Sequence, residues 1–253
     1  MSKLDGVRVV VTGSTSGLGA AMASALYEAG ARVMVTGRNR VRAQIAAASL
    51  GATALGCELD VRDPDSVEAC ISSAVESWDG IDMLVNNAGI GMRTVNPHFM
   101  TDPMPFWDVS VDGFRDVIDT KMTGCFLMAR AVVPIMLERG HGRIVNVSMN
   151  EQTMVRRGFT PYGPAGAGVE ALSQIMAADL ADTPISVNTL LPGGATQTGM
   201  IPDEVPDVVR AKLLDPSIMG APIVWLASRS ADGIRGQRIN ALEFAESLPN
   251  SSD

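Results

Sequence analysis

Short apolar runs alternate with longer helical patterns along the chain. Continuous apolar residues predict buried strands at residues 7–12, 32–36, 81–85, 143–147 and 185–190. The patterns between them predict helices at residues 17–29, 112–138 and 164–180, and Asp63-Pro64 marks the start of another, with the aspartate as N-cap. This alternation indicates one α/β domain, residues 1–253, built on a doubly wound parallel sheet with helices on both faces.

Two segments interrupt the alternation and are predicted to be lids over a ligand site. Residues 91–109 (lid 1) contain three prolines together with His98, Phe99 and Trp107. Residues 201–216 (lid 2) are acidic and rich in proline, and they follow a strand at the sheet edge where open α/β sheets bind ligands. Long irregular segments inside a domain are more often functional than simple connections.

Composition narrows the function classes. The formal net charge is −8 and the chain has no run of lysine and arginine, which argues against nucleic-acid and anionic membrane partners. Cys57, Cys70 and Cys125 lack CxxC spacing, so we expect ordinary thiols in a reducing compartment and no metal site. The N-terminus lacks the apolar region of a signal peptide, and no apolar run reaches about 18 residues. We therefore expect a cytoplasmic protein.

The turn after the first predicted strand has the glycine spacing of a dinucleotide-binding, Rossmann-like fold. In the segment TGSTSGLG, Gly13 permits a tight turn, Gly17 lets the backbone approach a phosphate, and Gly19 allows close helix–strand packing. The helix that follows would direct its N-terminal amides at a pyrophosphate. The predicted cofactor-binding residues of this turn are Gly13, Thr15, Ser16, Gly17, Leu18 and Gly19.

Together with the segment NNAG at residues 86–89, this turn makes the chain resemble the short-chain dehydrogenase/reductase family over essentially its whole length. The resemblance implies that Asp60 and Val61 hold an adenine. It also implies a homodimer or homotetramer formed through the long fourth and fifth helices, and a small-molecule substrate. The other cofactor-binding residues it implies are Asn87, Ala88, Gly89, Tyr162, Pro192, Gly193 and Thr198, with Thr196 as a competitor of Thr198.

The residues after the second strand favour NADP(H) as the cofactor. NAD-preferring folds place a carboxylate there to bind the ribose hydroxyls, whereas an arginine accommodates a 2′-phosphate. Here the strand ends in Gly37-Arg38, and Arg40 and Arg42 follow. The alternative is that Arg38 is a solvated surface residue.

Only one of the four residues that members of the family usually use for catalysis is present. The resemblance makes Tyr162 the acid/base, but the lysine expected four residues later is Gly166. Met149 stands at the serine position and Lys121 at the asparagine position. An unassisted tyrosine titrates near pH 10, so proton transfer at neutral pH would be impaired.

Several residues are candidates for supplying the missing catalytic groups. Lys121 would supply the missing ammonium if it points inward from its helix, or it is a solvated surface lysine. Ser148 would replace the serine if its loop carries one extra residue. Asn150 and Glu151 are candidates for facing the substrate, and Arg156-Arg157 for binding a carboxylate or phosphate. For each of them the alternative is an exposed loop residue without such a role.

Three functions remain open. The first is an atypical NADP(H)-dependent oxidoreductase that transfers hydride to or from a small or medium carbonyl, alcohol or imine, with a partly apolar substrate. The second is a cofactor-binding protein with little turnover and a structural or regulatory role. The third is a redox-silent isomerase or lyase. The intact glycine turn favours the first, because a redox-silent pocket need not keep it.

Overall fold

A computed structural model describes residues 3–244, so the ends of the predicted domain, residues 1–2 and 245–253, lie outside the described residues. Seven parallel strands form one sheet in the order β3-β2-β1-β4-β5-β6-β7. The strands are β1 (Arg8–Val11), β2 (Arg32–Gly37), β3 (Leu55–Glu58), β4 (Met83–Asn86), β5 (Gly142–Val147), β6 (Ile185–Leu191) and β7 (Arg238–Asn240). The structure confirms the predicted doubly wound α/β fold.

Helices cover both faces of the sheet because alternate strand residues point to opposite sides. Val9 and Val11 join the buried core on one face, whereas Val10 joins the core on the opposite face. The helices are α1 (Gly17–Glu28), α2 (Arg40–Leu50), α3 (Pro64–Trp78), α4 (Val111–Ile118), α5 (Gly124–Arg139), α6 (Glu151–Met154), α7 (Tyr162–Asp179), α8 (Asp207–Arg210) and α9 (Gly220–Ala227). As predicted, Asp63 caps α3 through its side chain.

The long helix predicted at residues 112–138 contains one π-helical turn between two α-helical parts. α4 and α5 are joined without a break in the chain's helical path by a π-helical turn, Asp119–Thr123. By length and composition the whole run, Val111–Arg139, is apolar enough to cross a membrane. Its buried residues, including Met128, Val132 and Met136, pack in the core with α3 and the sheet, which accounts for this apolar character.

The chain reverses its winding between β1 and β4, and a crevice opens at the carboxyl ends of these strands. This is the place where doubly wound sheets bind ligands. Lid 1 contains two short 3₁₀ turns, Met92–Thr94 and Phe106–Asp108, and lid 2 contains α8. Residues of both lids line the cavity that fills this crevice.

Candidate active site

The cavity at the crevice measures about 820 Å³, and most of the residues predicted to bind a cofactor line it. Gly13 and Gly17 have positive φ angles of 61° and 58°, which L side chains rarely adopt. A Cβ at Gly13 would lie 2.9 Å from Ala88 Cα. Gly13 therefore lets the turn pack directly against Ala88, and a Cβ at Gly17 would lie 3.3 Å from Thr198 Cγ2. The other predicted cofactor residues along the cavity are Thr15, Ser16, Leu18, Arg38, Asp60, Val61, Asn87, Gly89, Tyr162, Pro192, Thr196 and Thr198.

Two predicted cofactor residues, Gly19 and Gly193, do not line the cavity. A Cβ at Gly19 would come within 2.5 Å of the Gly13 carbonyl oxygen, so this glycine permits the close packing of α1. Gly193 has a φ of 90°, and its carbonyl oxygen accepts a hydrogen bond of 2.8 Å from Asn150 Nδ2. Both glycines shape the backbone around the cavity.

The polar groups near Asp60 and Asn87, at one end of the cavity, are partly engaged with other residues of the protein. Asp60 forms an ion pair with Arg62 at 2.7 Å, and this hydrogen-bonded guanidinium lowers the pKa of the Asp60 carboxyl. Asn87 Nδ2 donates to the carbonyl oxygens of Thr12 and Gly13 and thereby ties β4 to the glycine turn. Arg38 lines the cavity and forms no ion pair within residues 3–244.

Lys121 points inward from the π-helical turn. Its side chain is buried, and Nζ donates a hydrogen bond of 3.3 Å to the Val147 carbonyl oxygen. Nζ also lies 5.5 Å from the centre of the Tyr162 ring, and both residues line the cavity. Burial lowers the pKa of Lys121 to about 8, while nearby Glu170 opposes this shift. The amine is therefore mostly protonated at neutral pH and loses its charge just above it.

Tyr162 begins α7 and faces the lids. Its hydroxyl lies 4.0 Å from Met200 Sδ, and burial raises the pKa of this phenol. No other hydrogen bond of this hydroxyl is found within the described chain, and none joins it to Ser148. In this arrangement Tyr162 holds its proton at neutral pH and has a cationic neighbour on its ring face.

The two departures from the family pattern meet in space. Met149 is buried, and its side chain covers the helix position at which Gly166 lies. A Cβ at Gly166 would lie 2.6 Å from Met149 Cε and 2.9 Å from its Sδ. The methionine thus occupies the volume into which a longer side chain at residue 166 would extend, so the two substitutions are complementary.

Ser148 is directed towards α7. Its hydroxyl donates to Glu170 Oε1 at 2.7 Å, and Arg238 pairs with the same carboxylate at 2.9 Å. Arg238 Nη2 also donates to the Met149 carbonyl oxygen at 3.0 Å. Sequence reasoning missed Glu170 and Arg238; the only signal was that Glu170 follows Gly166 by one helical turn. Whether Ser148 also serves catalysis stays a prediction.

Side chains of the two lids make two kinds of contact, apolar packing and polar contacts between exposed groups. Met92, Phe99 and Phe159 form a small buried cluster against which Tyr162 packs. Exposed polar contacts join lid 1 to lid 2: Arg93 pairs with Asp203 at 2.5 Å, His98 contacts Glu204 at 2.6 Å, and Thr101 Oγ1 donates to Glu204 Oε1 at 3.0 Å. The lids are therefore held together over the end of the cavity that contains Tyr162.

The chain matches the short chain dehydrogenase family over residues 7–208. It is 32% identical to the 3-oxoacyl-(acyl-carrier-protein) reductase FabG of Vibrio cholerae over 244 residues, which cover 94% of this chain and 96% of the relative. It is also 32% identical to the NADP-dependent 3-hydroxy acid dehydrogenase YdfG of Salmonella typhi, with 88% and 90% covered.

A solved structure, 3-ketoacyl-(acyl-carrier-protein) reductase from Brucella melitensis complexed with NADH, superimposes with a TM-score of 0.84. It is 26% identical in sequence, and the match covers 94% of this chain and 97% of that one. The similarity thus extends over both the glycine turn and the lids.

Proposed function

The chain belongs to the short-chain dehydrogenase family of oxidoreductases, and we propose that it is an NADP(H)-dependent member with an atypical acid–base pair. It would transfer hydride to or from a small or medium carbonyl, alcohol or imine. The observation that supports this most is the buried amine of Lys121, 5.5 Å from the Tyr162 ring centre and along the same cavity. The names of the relatives, a 3-oxoacyl reductase and a 3-hydroxy acid dehydrogenase, agree with carbonyl or alcohol substrates.

The glycine turn and Arg38 fit a bound NADP(H). Gly17 keeps a side chain out of the space between the turn and Thr198, and the amides that begin α1 suit a pyrophosphate. Arg38, which stands where NAD-preferring folds carry a carboxylate, would bind the 2′-phosphate. When bound, the cofactor supplies or accepts the hydride. The relatives include an NADP-dependent enzyme and an NADH complex, so the preference for NADP(H) rests on Arg38.

Tyr162 and Lys121 would handle the proton. In the direction of reduction, the Tyr162 hydroxyl donates its proton to the carbonyl oxygen of the substrate. The protonated Lys121 amine on the ring face then stabilises the resulting phenolate, since a cation attracts the π-electrons of a tyrosine and attracts its anion more strongly. Because the pKa of Lys121 is about 8, this help is present at neutral pH and disappears above it.

Kinetics of three variants test this assignment. Lys121→Ala should reduce turnover about as much as Tyr162→Phe, by about 10² to 10⁴. The double variant should be little worse than either single one, because residues that act as a unit are non-additive. Lys212→Ala, which removes an exposed lysine of lid 2, is the matched control. Wild-type turnover in Lys121→Ala, with cofactor binding retained, would refute the role of Lys121.

A second candidate function is cofactor binding with little turnover. The packing of Met149 against Gly166 favours this function, because Met149 fills the space of the lysine that binds the nicotinamide ribose in the family. No other residue of α7 replaces that lysine. Tight NADPH binding without turnover on a broad panel of ketones, aldehydes and imines would support this function. Turnover that depends on Tyr162 would exclude it.

Exposed apolar side chains on the helices around α5 support the proposal of a homodimer or homotetramer. Phe126 on α5 is 47% exposed and Ile175 on α7 is 57% exposed. We expect these faces to be buried against a second copy of the chain. Light scattering of the wild type and of Phe126→Glu measures this, and a wild-type monomer at micromolar concentration would contradict it.

A further inference from the structure

The charged side chains along the cavity are mostly basic. Those lining it within residues 3–244 are Arg38, Arg93, Lys121 and Arg156, against a single carboxylate, Asp60. The protein as a whole carries a formal net charge of −8. A cleft of opposite sign to its protein attracts anionic ligands and raises their local concentration. Some of this charge suits the cofactor, and the rest lies near Tyr162.

The basic groups at the Tyr162 end differ in how they are engaged. Arg93 is held by Asp203 and by two carbonyl oxygens of the neighbouring segment. Lys121 is buried and donates into the protein. Arg156 forms no ion pair with any carboxylate of the described chain; its guanidinium lies 4.7 Å from the centre of the Phe159 ring. Arg156 is therefore the cation at this end that remains available to a ligand.

Phe159 connects Arg156 to the chamber beside Tyr162. The Phe159 ring packs edge-on against Phe99 of lid 1 at 5.5 Å, and Tyr162 packs against the same apolar cluster. The cluster thus forms an apolar wall between the hydroxyl of Tyr162 and the guanidinium of Arg156. An apolar carbonyl compound lying along this wall would place its far end at Arg156.

We propose that Arg156 binds an oxyanion, a carboxylate or a phosphate, at the end of an apolar carbonyl substrate, and so sets the substrate class of the enzyme. This inference rests on the proposed oxidoreductase function. A planar guanidinium pairs with such groups through two parallel hydrogen bonds. Arg156 and Arg157 are both exposed, but Arg157 does not line the cavity, so it takes no part.

The test compares oxo acids with uncharged compounds of the same length. kcat/KM is measured with NADPH for an apolar oxo acid, its methyl ester and the corresponding oxoalkyl phosphate. The proteins are the wild type, Arg156→Gln, Arg156→Lys and Arg157→Gln. Glutamine keeps part of the stem that packs on Phe159 and removes the charge. Arg157→Gln is the matched control, because it removes the same charge one residue away.

We expect the wild type to prefer an anionic substrate to the ester by about tenfold or more, as charged hydrogen bonds allow. Arg156→Gln should abolish that preference, mainly through KM, and leave kcat/KM for the ester within about twofold. Arg156→Lys should show part of the preference for the anionic substrate, and Arg157→Gln should show all of it. The better of the oxo acid and the phosphate identifies the oxyanion. Equal use of ester and anions by the wild type, or equal losses for both in Arg156→Gln, would overturn the inference.

Binding separates a failure of this inference from a failure of the proposed function. If no compound is turned over, calorimetric titration of the oxo acid and of the phosphate into the NADPH-loaded protein replaces kinetics. At least tenfold weaker binding of either anion to Arg156→Gln than to Arg157→Gln would support the oxyanion site without catalysis. Equal binding of both anions to the two variants would overturn it.

Discussion

Replacing Lys121 with methionine should make the protein more stable and less active at the same time. Methionine has a similar length, carries no charge and suits the buried surroundings of the π-helical turn. Removal of the amine leaves the Val147 carbonyl oxygen without this donor. The desolvation of the ammonium is the larger effect, since it lowers the pKa of Lys121 from 10.5 to about 8.

The size of the stability change follows from that pKa. At about 1.4 kcal/mol per pKa unit, keeping Lys121 protonated in the folded protein costs about 3 kcal/mol. Below pH 8 both states bind the proton and the folded state bears the full cost. Between pH 8 and 10.5 only the unfolded chain binds it, so the stability of the wild type rises with pH. Since the lost hydrogen bond to the Val147 carbonyl offsets roughly 1 kcal/mol of this cost, the advantage of Lys121→Met is about 2 kcal/mol at pH 7 and shrinks through this window.

Urea unfolding followed by tryptophan fluorescence at pH 7, 9 and 10.5 measures this difference, at one protein concentration for all variants. Lys212→Met serves as the control, because this exposed lysine should change stability by no more than about 0.5 kcal/mol at any pH. A Lys121→Met variant that is less stable than the wild type at pH 7 would refute the reasoning. A difference in unfolding free energy between Lys121→Met and the wild type that does not change with pH would also refute it.

Three further predictions follow from the site. Arg38→Ala should weaken NADPH binding about tenfold or more and leave NADH binding unchanged in calorimetry; equal losses for both cofactors would contradict the 2′-phosphate role. Gly166→Lys alone should lower the melting temperature without a gain in activity, because Met149 fills the space, whereas the double variant with Met149→Ser should gain activity on an activated ketone. The rate of ketone reduction should fall as pH rises through about 8, and Lys121→Ala should lack this decline in its pH profile.

The order of strands and helices was readable from the sequence because both faces of the sheet are covered. Continuous apolar runs mark such strands, and the glycine turn marks the first crossover. Neither edge strand, β3 or the three-residue β7, contains such a run, and no apolar run was assigned to either. The predicted helix at residues 112–138 is real, but hydropathy carries no trace of the hydrogen-bond pattern of Asp119–Thr123, which is the part that positions Lys121.

The candidate site was only partly readable, because its main contacts join residues distant in sequence. Met149 and Gly166 were two separate departures from the family pattern until the structure brought them into contact. Arg156 and Arg157 are equivalent as sequence, and the structure distinguishes them because Arg156 alone of the two lines the cavity and lies over the Phe159 ring. The bond from Ser148 to a carboxylate on α7 likewise depends on how the helix packs beside the strand.

Because a charged pair joins the two lids, we expect ionic strength to affect how fast ligands reach the cavity. Arg93–Asp203 is an exposed ion pair, so dissolved salt screens it and weakens this link between the lids. The same salt weakens the long-range attraction of anions to the basic cleft. Added salt thus favours separation of the lids and slows the encounter of anionic ligands with the cavity. We therefore expect the association rate of an anionic ligand to reflect the balance of these two opposing effects of ionic strength.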